Sequence, residues 1–231
     1  MGGTEVNHHS QPWLVIVDKC RQCGGTLISN QHVLTAAHCG KPKSVTLGKN
    51  SCLDYEMGQM YVKVKTVTVH PQYWLEADIA GYDIAILTME KPIEFSSTII
   101  PACLPIVPSE DYVGHKVTLS GWGKVGDRDN KMAQINEDGT LMTINLKVLP
   151  ISECQKAKWI TDKISKIKAS DRNINETNMI CVGKFKGDPD QVWRGLHKGD
   201  SGGMVFLYLS SRIKYIKYVY TVKNILILLL L

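Results

Sequence analysis

Short apolar or alternating runs, cut by Gly, Pro, Asn and Asp, make up most of the chain. Trp13-Leu-Val-Ile-Val17 is continuously apolar and predicts a buried strand. Residues 26–35 predict a hairpin that turns at Asn30. Residues 62–69 alternate, but the apolar phase slips between Val64 and Val67, which predicts a β-bulge. Asp83-Ile-Ala-Ile-Leu-Thr88 predicts another apolar strand, and residues 113–122 and 141–148 complete the series. Many short strands with regular turn signals predict an all-β barrel or sandwich. Helical patterning is weak. Its best candidate is 152–163, where Ser152 offers a cap.

Pro101-Ala-Cys-Leu-Pro105 and Pro108 form a proline-rich connector, predicted to cross between two halves. Residues 126–139 and 183–198, rich in Gly, Asp, Asn and Lys, predict long surface loops. The 231 residues suit one large domain or two small ones. With 44% apolar and 21% charged residues, the chain is neither disordered nor collagen-like. The net charge of +5 changes the picture only through its location. After Gly203 come Arg212, Lys214, Lys217 and Lys223 with no acid, so residues 1–203 carry 5 − 4 = +1. The basic balance belongs to the tail and does not predict a nucleic-acid partner.

The seven cysteines are an odd number, which in a secreted chain leaves one over. Cys20 and Cys23 form a lone C-x-x-C without the distant partners of a zinc site. Met1-Gly-Gly-Thr-Glu lacks the apolar core of a signal peptide. The apolar run after Asn224 is far shorter than the ~20 residues that span a bilayer, so a membrane role is not expected.

Three segments carry candidate chemistry. Thr35-Ala-Ala-His38-Cys39 sets a histidine in a small-residue turn, Tyr82-Asp83 sets an acid at the mouth of an apolar strand, and Gly199-Asp200-Ser201-Gly202-Gly203 surrounds a serine with glycines. A serine nucleophile needs a base, the base an orienting acid, and the oxyanion unobstructed backbone N–H groups. Each segment alone has a plain structural reading as a surface histidine, a turn acid or a flexible turn. The order His, Asp, Ser is more specific, because other Ser-His-Asp hydrolases use different chain orders.

With these segments the chain resembles the trypsin/chymotrypsin family of serine endopeptidases (peptidase S1). The resemblance runs over residues 1–203. It includes Gly2-Gly3, Gln11-Pro12-Trp13, Cys23-Gly-Gly-Thr-Leu-Ile28, Leu34-Thr-Ala-Ala-His-Cys39, Asp83-Ile-Ala-Ile86, Pro101-Ala-Cys-Leu-Pro105, Ser120-Gly-Trp-Gly123 and Gly199 to Gly203. It implies two antiparallel six-stranded β-barrels, the first over about 1–104 and the second, incomplete, over about 105–203, with an atypical tail at 204–231. It implies that Ser201 is the nucleophile, His38 the general base and Asp83 its orienting carboxylate. The N–H groups of Gly199 and Ser201 would form the oxyanion hole. Asp200 would pair with the α-amino group released by zymogen cleavage.

The resemblance also implies bridges Cys23–Cys39 and Cys154–Cys181, and makes Cys103 the cysteine that holds a propeptide chain in many members. Closing the short Cys23–Cys39 loop is worth about 3 kcal/mol in the entropic account. Cys20 and Cys52 are left either to pair or to stay free thiols. A secreted monomer acting on protein or peptide substrates is implied, with no cofactor and no metal. The position six residues before Ser201 is Gly195, where trypsin-like members carry the Asp that selects Arg or Lys. Asp188 and Asp190 in the preceding loop leave that selectivity open.

Departures gather at the ends. Only Met1 precedes Gly2, and one residue spans roughly 3.5 Å, short of the reach to Asp200. After Gly203 stands Met204 in place of a proline, and the family's Ser-Trp-Gly segment and closing helix are not recognisable. His197 and Val117 stand where two bridging cysteines are expected. Together these predict a chain incomplete at both ends, with residues 205–231 from a different exon end. They also keep a catalytically silent homologue as the alternative reading. Asn175-Glu-Thr177 is a glycosylation sequon. His8-His9 is an adjacent pair without further ligands in the sequence. Lys49 stands where some members carry a calcium-binding acid.

Overall fold

The computed structural model describes residues 3–73, 82–104, 112–123, 139–156, 180–183, 199–203, 205–208, 214–218 and 225–228. The first half comprises β1 (Thr4–Glu5), β2 (Leu14–Val17), β3 (Cys23–Leu27), β4 (His32–Thr35), β5 (Ser44–Leu47), β6 (Met60–Val69) and β7 (Ala85–Met89), with a 3-10 turn at Ala37–Cys39. The second half comprises β8 (Lys116–Gly121), β9 (Met142–Leu149), α1 (Ile151–Lys156), β10 (Ile180–Gly183), β11 (Val205–Tyr208), β12 (Lys214–Tyr218) and β13 (Ile225–Leu228).

Strands β2-β3-β4-β7-β6-β5 close into a barrel, all pairs antiparallel. The hairpin expected around Asn30 is β3–β4, with Thr26 opposite Leu34. The register of β6 against β7 shifts between Val64 and Thr66, at the predicted phase slip. An extra residue there turns the following side chains to the other face, which is why the alternation breaks.

The continuous apolar run of β2 has a structural reason. Val15 and Val17 point into the barrel with Leu27, Val33 and Leu87. Leu14 and Ile16 point outward, where they pack with Trp13, Trp122, Leu141 and Phe206. A strand buried on both faces has no polar side to show. That second cluster joins the two halves. Trp122 Nε1 adds a hydrogen bond to the Asn50 carbonyl at 2.9 Å.

The second sheet runs β12-β11-β8-β9-β10-β13, with β1 also paired to β9. Val117, Leu119, Ile144, Leu146 and Val182 form its core. The fold is all-β with two barrel-like halves, as expected. The second half differs in detail. Among the described residues it is a seven-stranded sheet rather than a closed six-stranded barrel, and β10 pairs with β13 in parallel, Ile180 opposite Ile225. The segment after Gly203 is drawn into this sheet. Val205 opposes Leu119 and is buried in the sheet core, while Phe206 faces the other way and meets Trp13 edge-on at 5.8 Å. α1 starts at Ile151, so Ser152 lies inside its first turn rather than capping it, and the Glu153 N–H bonds the Pro150 carbonyl at 3.0 Å. The rest of the expected helix lies outside the described residues, as do most of the two predicted loops.

Three disulfides are formed. Cys23–Cys39 and Cys154–Cys181 have Cα separations of 6.2 Å and 5.9 Å. Cys20 and Cys52, whose pairing the sequence left open, are joined across 5.4 Å. Cys103 is a free, exposed thiol.

Candidate active site

The Leu-Thr-Ala-Ala-His-Cys segment ends β4 and enters the 3-10 turn, which carries His38. The Cys23–Cys39 bridge ties this turn back to β3. Asp83 precedes β7, the antiparallel neighbour of β4, with Thr35 opposite Ala85. Neighbouring strands therefore bring the two residues together across 45 positions of sequence. Asp83 Oδ2 lies 2.6 Å from His38 Nδ1, and its Oδ1 accepts the His38 backbone N–H at 2.8 Å.

Asp83 is 2% exposed and the His38 side chain 17%. A buried carboxylate needs such partners, since burying an unpaired charge is costly. The carboxylate can only accept, so the neutral imidazole carries its proton on Nδ1 and leaves Nε2 as an acceptor. The two-point grip fixes the ring's tautomer and direction. Tyr82, just before Asp83, has φ +72, an uncommon backbone for a non-glycine residue, and its ring stacks on His70 at 4.7 Å. Tyr73 is a further neighbour that the sequence reading missed. Its phenol is pushed above 10.0, first by burial and then by the negative charge of Asp83.

Ser201 sits in a loop held against the first barrel. Its carbonyl accepts the Gly24 N–H at 2.6 Å and lies 4.0 Å from Cys39 Sγ. Gly202 is left-handed at φ +78, and a Cβ there would overlap Thr35 Oγ1 and the Gly24 carbonyl. Thr35 is itself fully buried and donates to that carbonyl at 2.8 Å. Gly199 has φ +108, and a Cβ there would lie 2.8 Å from the Arg21 carbonyl. The glycines around the serine are thus set by close backbone approach as well as by φ. The structure brings His38 and Asp83 into direct contact. Among the described residues the Ser201 hydroxyl makes no hydrogen bond to His38, and the serine is held through its carbonyl.

Asp200 turns away from the serine and packs on the Ser120-Gly-Trp-Gly segment. Its Oδ1 accepts the Gly123 N–H at 2.7 Å, and a Cβ on Gly123 would come within 2.5 Å of that oxygen. Met1 and Gly2, whose reach to Asp200 was in question, lie outside the described residues, as does Gly195. Neither the role of Thr35 nor that of Gly24 is signalled locally. Their meaning appears only when the serine loop docks on them.

Comparison with known proteins agrees with this arrangement. The sequence profile of the Trypsin family matches residues 1–208. Ovochymase-2 of Mus musculus is 32% identical over 212 residues, covering 88% of this chain and 31% of that protein. Kallikrein-1 of Mus musculus is 31% identical over 217 residues, covering 88% of this chain and 73% of that protein. Melanization protease 1 of Drosophila melanogaster is 28% identical over 237 residues, covering 90% of this chain and 54% of that protein. The chain thus spans about a third of the ovochymase and about three quarters of the kallikrein. The match over nine-tenths of the residues, a closed barrel carrying a paired histidine and aspartate, and the docked glycine-rich serine loop converge on one statement: this chain belongs to the trypsin family of serine peptidases.

Proposed function

We propose that the chain is a serine endopeptidase whose catalytic residues are His38, Asp83 and Ser201. The observation that carries the reading is the two-point contact of Asp83 with His38, through the ring Nδ1 at 2.6 Å and the backbone N–H at 2.8 Å. The steps follow the general scheme of the Ser-His-Asp peptidases, carried to these residues. Ser201 Oγ attacks the scissile carbonyl carbon while His38 Nε2 takes the hydroxyl proton. Asp83, accepting from Nδ1–H, stabilises the imidazolium. The carbonyl oxygen becomes an oxyanion that the N–H groups of Gly199 and Ser201 would receive. His38 then gives its proton to the leaving amine, and an acyl-enzyme remains on Ser201. Water, deprotonated by His38, attacks that ester; the acid leaves as His38 returns the proton to Ser201 Oγ.

Asp200 would hold the serine loop in its active shape by pairing with a chain-terminal amine, its anchoring bond to Gly123 being one part of that arrangement. The substrate is a protein or peptide chain. Three disulfides suit an oxidising compartment, so the protein is read as secreted. Cys103, exposed and unbridged, would form a disulfide with a propeptide cysteine, the oxidising compartment taking up the two electrons and two protons released. A second reading, a homologue that binds without cleaving, is favoured by the missing hydrogen bond between Ser201 and His38; such bonds often form fully only when substrate is bound. Labelling with a fluorophosphonate separates the two. Label that appears on the folded chain and vanishes in Ser201→Ala supports the peptidase, whereas a folded chain that stays unlabelled refutes it.

A further inference from the structure

The near-neutral sum over residues 1–203 hides an uneven distribution of charge on the first barrel. Lys41, Lys43, Lys63, Lys65 and Lys91 are all exposed, and folding gathers the three stretches of chain that carry them. We propose that these five lysines form a docking surface for a linear sulfated polysaccharide.

Backbone hydrogen bonds fix the cluster. The Lys43 carbonyl accepts the Val64 N–H at 2.9 Å, between Lys63 and Lys65. The Lys63 carbonyl accepts the Glu90 N–H at 2.9 Å, next to Lys91. Neighbouring segments thus carry their lysines at strand spacing, about 4.8 Å per step. Along β6, Lys63 and Lys65 stand two residues apart, roughly 7 Å, on the exposed side of an alternating strand. Lys65 is the extra residue where the register of β6 on β7 shifts between Val64 and Thr66. A bulge re-aims a side chain, and here Lys65 and Thr66 are both exposed where strict alternation would turn one inward.

These charges are also unspent. Among the described residues, none of the five ammonium groups makes an ion pair or a hydrogen bond. Lys49, by contrast, is turned onto the Asp54 carbonyl at 2.5 Å. The acids adjoining the three stretches are Asp18 and Glu90. Asp18 is engaged by backbone, its Oδ1 accepting the N–H groups of Lys43 at 2.6 Å and Ser44 at 3.0 Å. Glu90 is exposed beside Lys91 and offsets one charge. The surface therefore keeps a positive excess whose members repel one another, and a bound polyanion relieves that repulsion.

The residue type narrows the partner. All five groups are lysines, compact point charges, whereas planar bidentate recognition of carboxylates is better served by arginine. They stand in a row across the outer wall of a closed barrel, which suits an anion with charge repeated along its length. The choice among such polyanions rests on the reading of the chain as secreted, which the three disulfides support. Outside the cell the abundant linear polyanions are sulfated polysaccharides. Binding in solution does not depend on that reading, so the two can fail separately.

Calorimetric titration of the full chain with a heparin octasaccharide tests the surface. Binding should be saturable at about 50 mM NaCl and should weaken steeply with added salt, because each ionic contact releases counter-ions. Desulfated heparin of the same length should not bind. Lys63→Gln combined with Lys65→Gln removes two charges from exposed positions. It should weaken binding by about tenfold or more and lower the salt slope by about two, one for each lysine. Lys41→Gln with Lys91→Gln, outside the strands, should act in the same direction and serves as the check if the β6 variant folds poorly by circular dichroism. Replacing Arg212, Lys214, Lys217 and Lys223 by Gln should leave the affinity unchanged. No saturable binding, unchanged affinity in either folded lysine pair, loss of binding in the folded tail variant, or tighter binding of poly-aspartate or single-stranded DNA of equal charge would overturn the proposal.

Discussion

Gly40 and Gly202 share a positive φ, +79 and +78, yet their surroundings are opposite. A Cβ on Gly40 meets nothing within 4 Å. A Cβ on Gly202 falls well inside the 3.0 Å limit of real contacts, against Thr35 Oγ1 and the Gly24 carbonyl, and lies 3.1 Å from the Ala36 nitrogen. None of these neighbours can give way easily. Thr35 is fully buried, its hydroxyl is committed to Gly24, and Gly24 lies in β3 opposite Ile16. Gly40→Ala should therefore cost only the strain of its positive-φ backbone (φ +79, ψ −130), about 1–3 kcal/mol. Gly202→Ala adds overpacking of about 1–3 kcal/mol. The unfolded-state gain from replacing glycine by alanine is common to both and cancels in the difference. Urea unfolding followed by tryptophan fluorescence should place the Gly202→Ala midpoint on the order of 1 M below that of Gly40→Ala, with equal slopes. Equal midpoints would refute the argument that close approach, and not φ alone, dictates the glycine after Ser201.

Three other outcomes follow from the same structure. The raised phenol of Tyr73 means that the unfolded chain loses this proton before the folded one does, so its contribution is intact below pH 10.0 and declines as pH rises through the folded value; Tyr73→Phe should make alkaline unfolding less steep. Replacing Cys20 and Cys52 by serine opens a link spanning 32 positions, which the loop-entropy relation values at about 4 kcal/mol, and an unchanged thermal midpoint would show that the bridge constrains nothing. Phe206→Ala removes a fully buried ring that packs on Trp13, and should destabilise by about 3–5 kcal/mol; an effect below about 1 kcal/mol would mean that β11 is not part of the folded core.

The first barrel was legible because its signals are local. The double burial of Leu14–Val17 and the phase slip in Met60–Val69 are both written in runs of adjacent residues. The second half was less so. Its tail carries lysines and leucines that suggest no barrel by composition, and the parallel pairing of β10 with β13 joins residues 45 apart, Ile180 and Ile225, with no turn between them to announce it. Val205 and Phe206 look like a short apolar pair in sequence; only their opposite faces on β11 show that one fills the sheet and the other the seam between halves. Cysteine parity required one cysteine to be left over and the family resemblance pointed to Cys103, but neither decides whether Cys20 meets Cys52, since connectivity is a matter of distance.

The serine loop shows how composition alone can miss the cause of a glycine-rich segment. By composition, Gly199-Asp200-Ser201-Gly202-Gly203 is a flexible turn, and glycine is indeed the residue with the most backbone freedom to lose on folding. In the folded chain that freedom is used up. Gly199 closes on the Arg21 carbonyl, Gly202 on Thr35 and Gly24, and the Asp200 carboxylate on Gly123. Ser201 is gripped through its carbonyl by the Gly24 N–H, from the strand that the Cys23–Cys39 bridge ties to His38. The serine and the histidine are therefore referred to one rigid element, β3, although 162 positions separate Cys39 from Ser201. The glycines serve to let two backbones approach closely enough to share that reference, so side chains larger than hydrogen at these positions should displace the serine before they stiffen the loop.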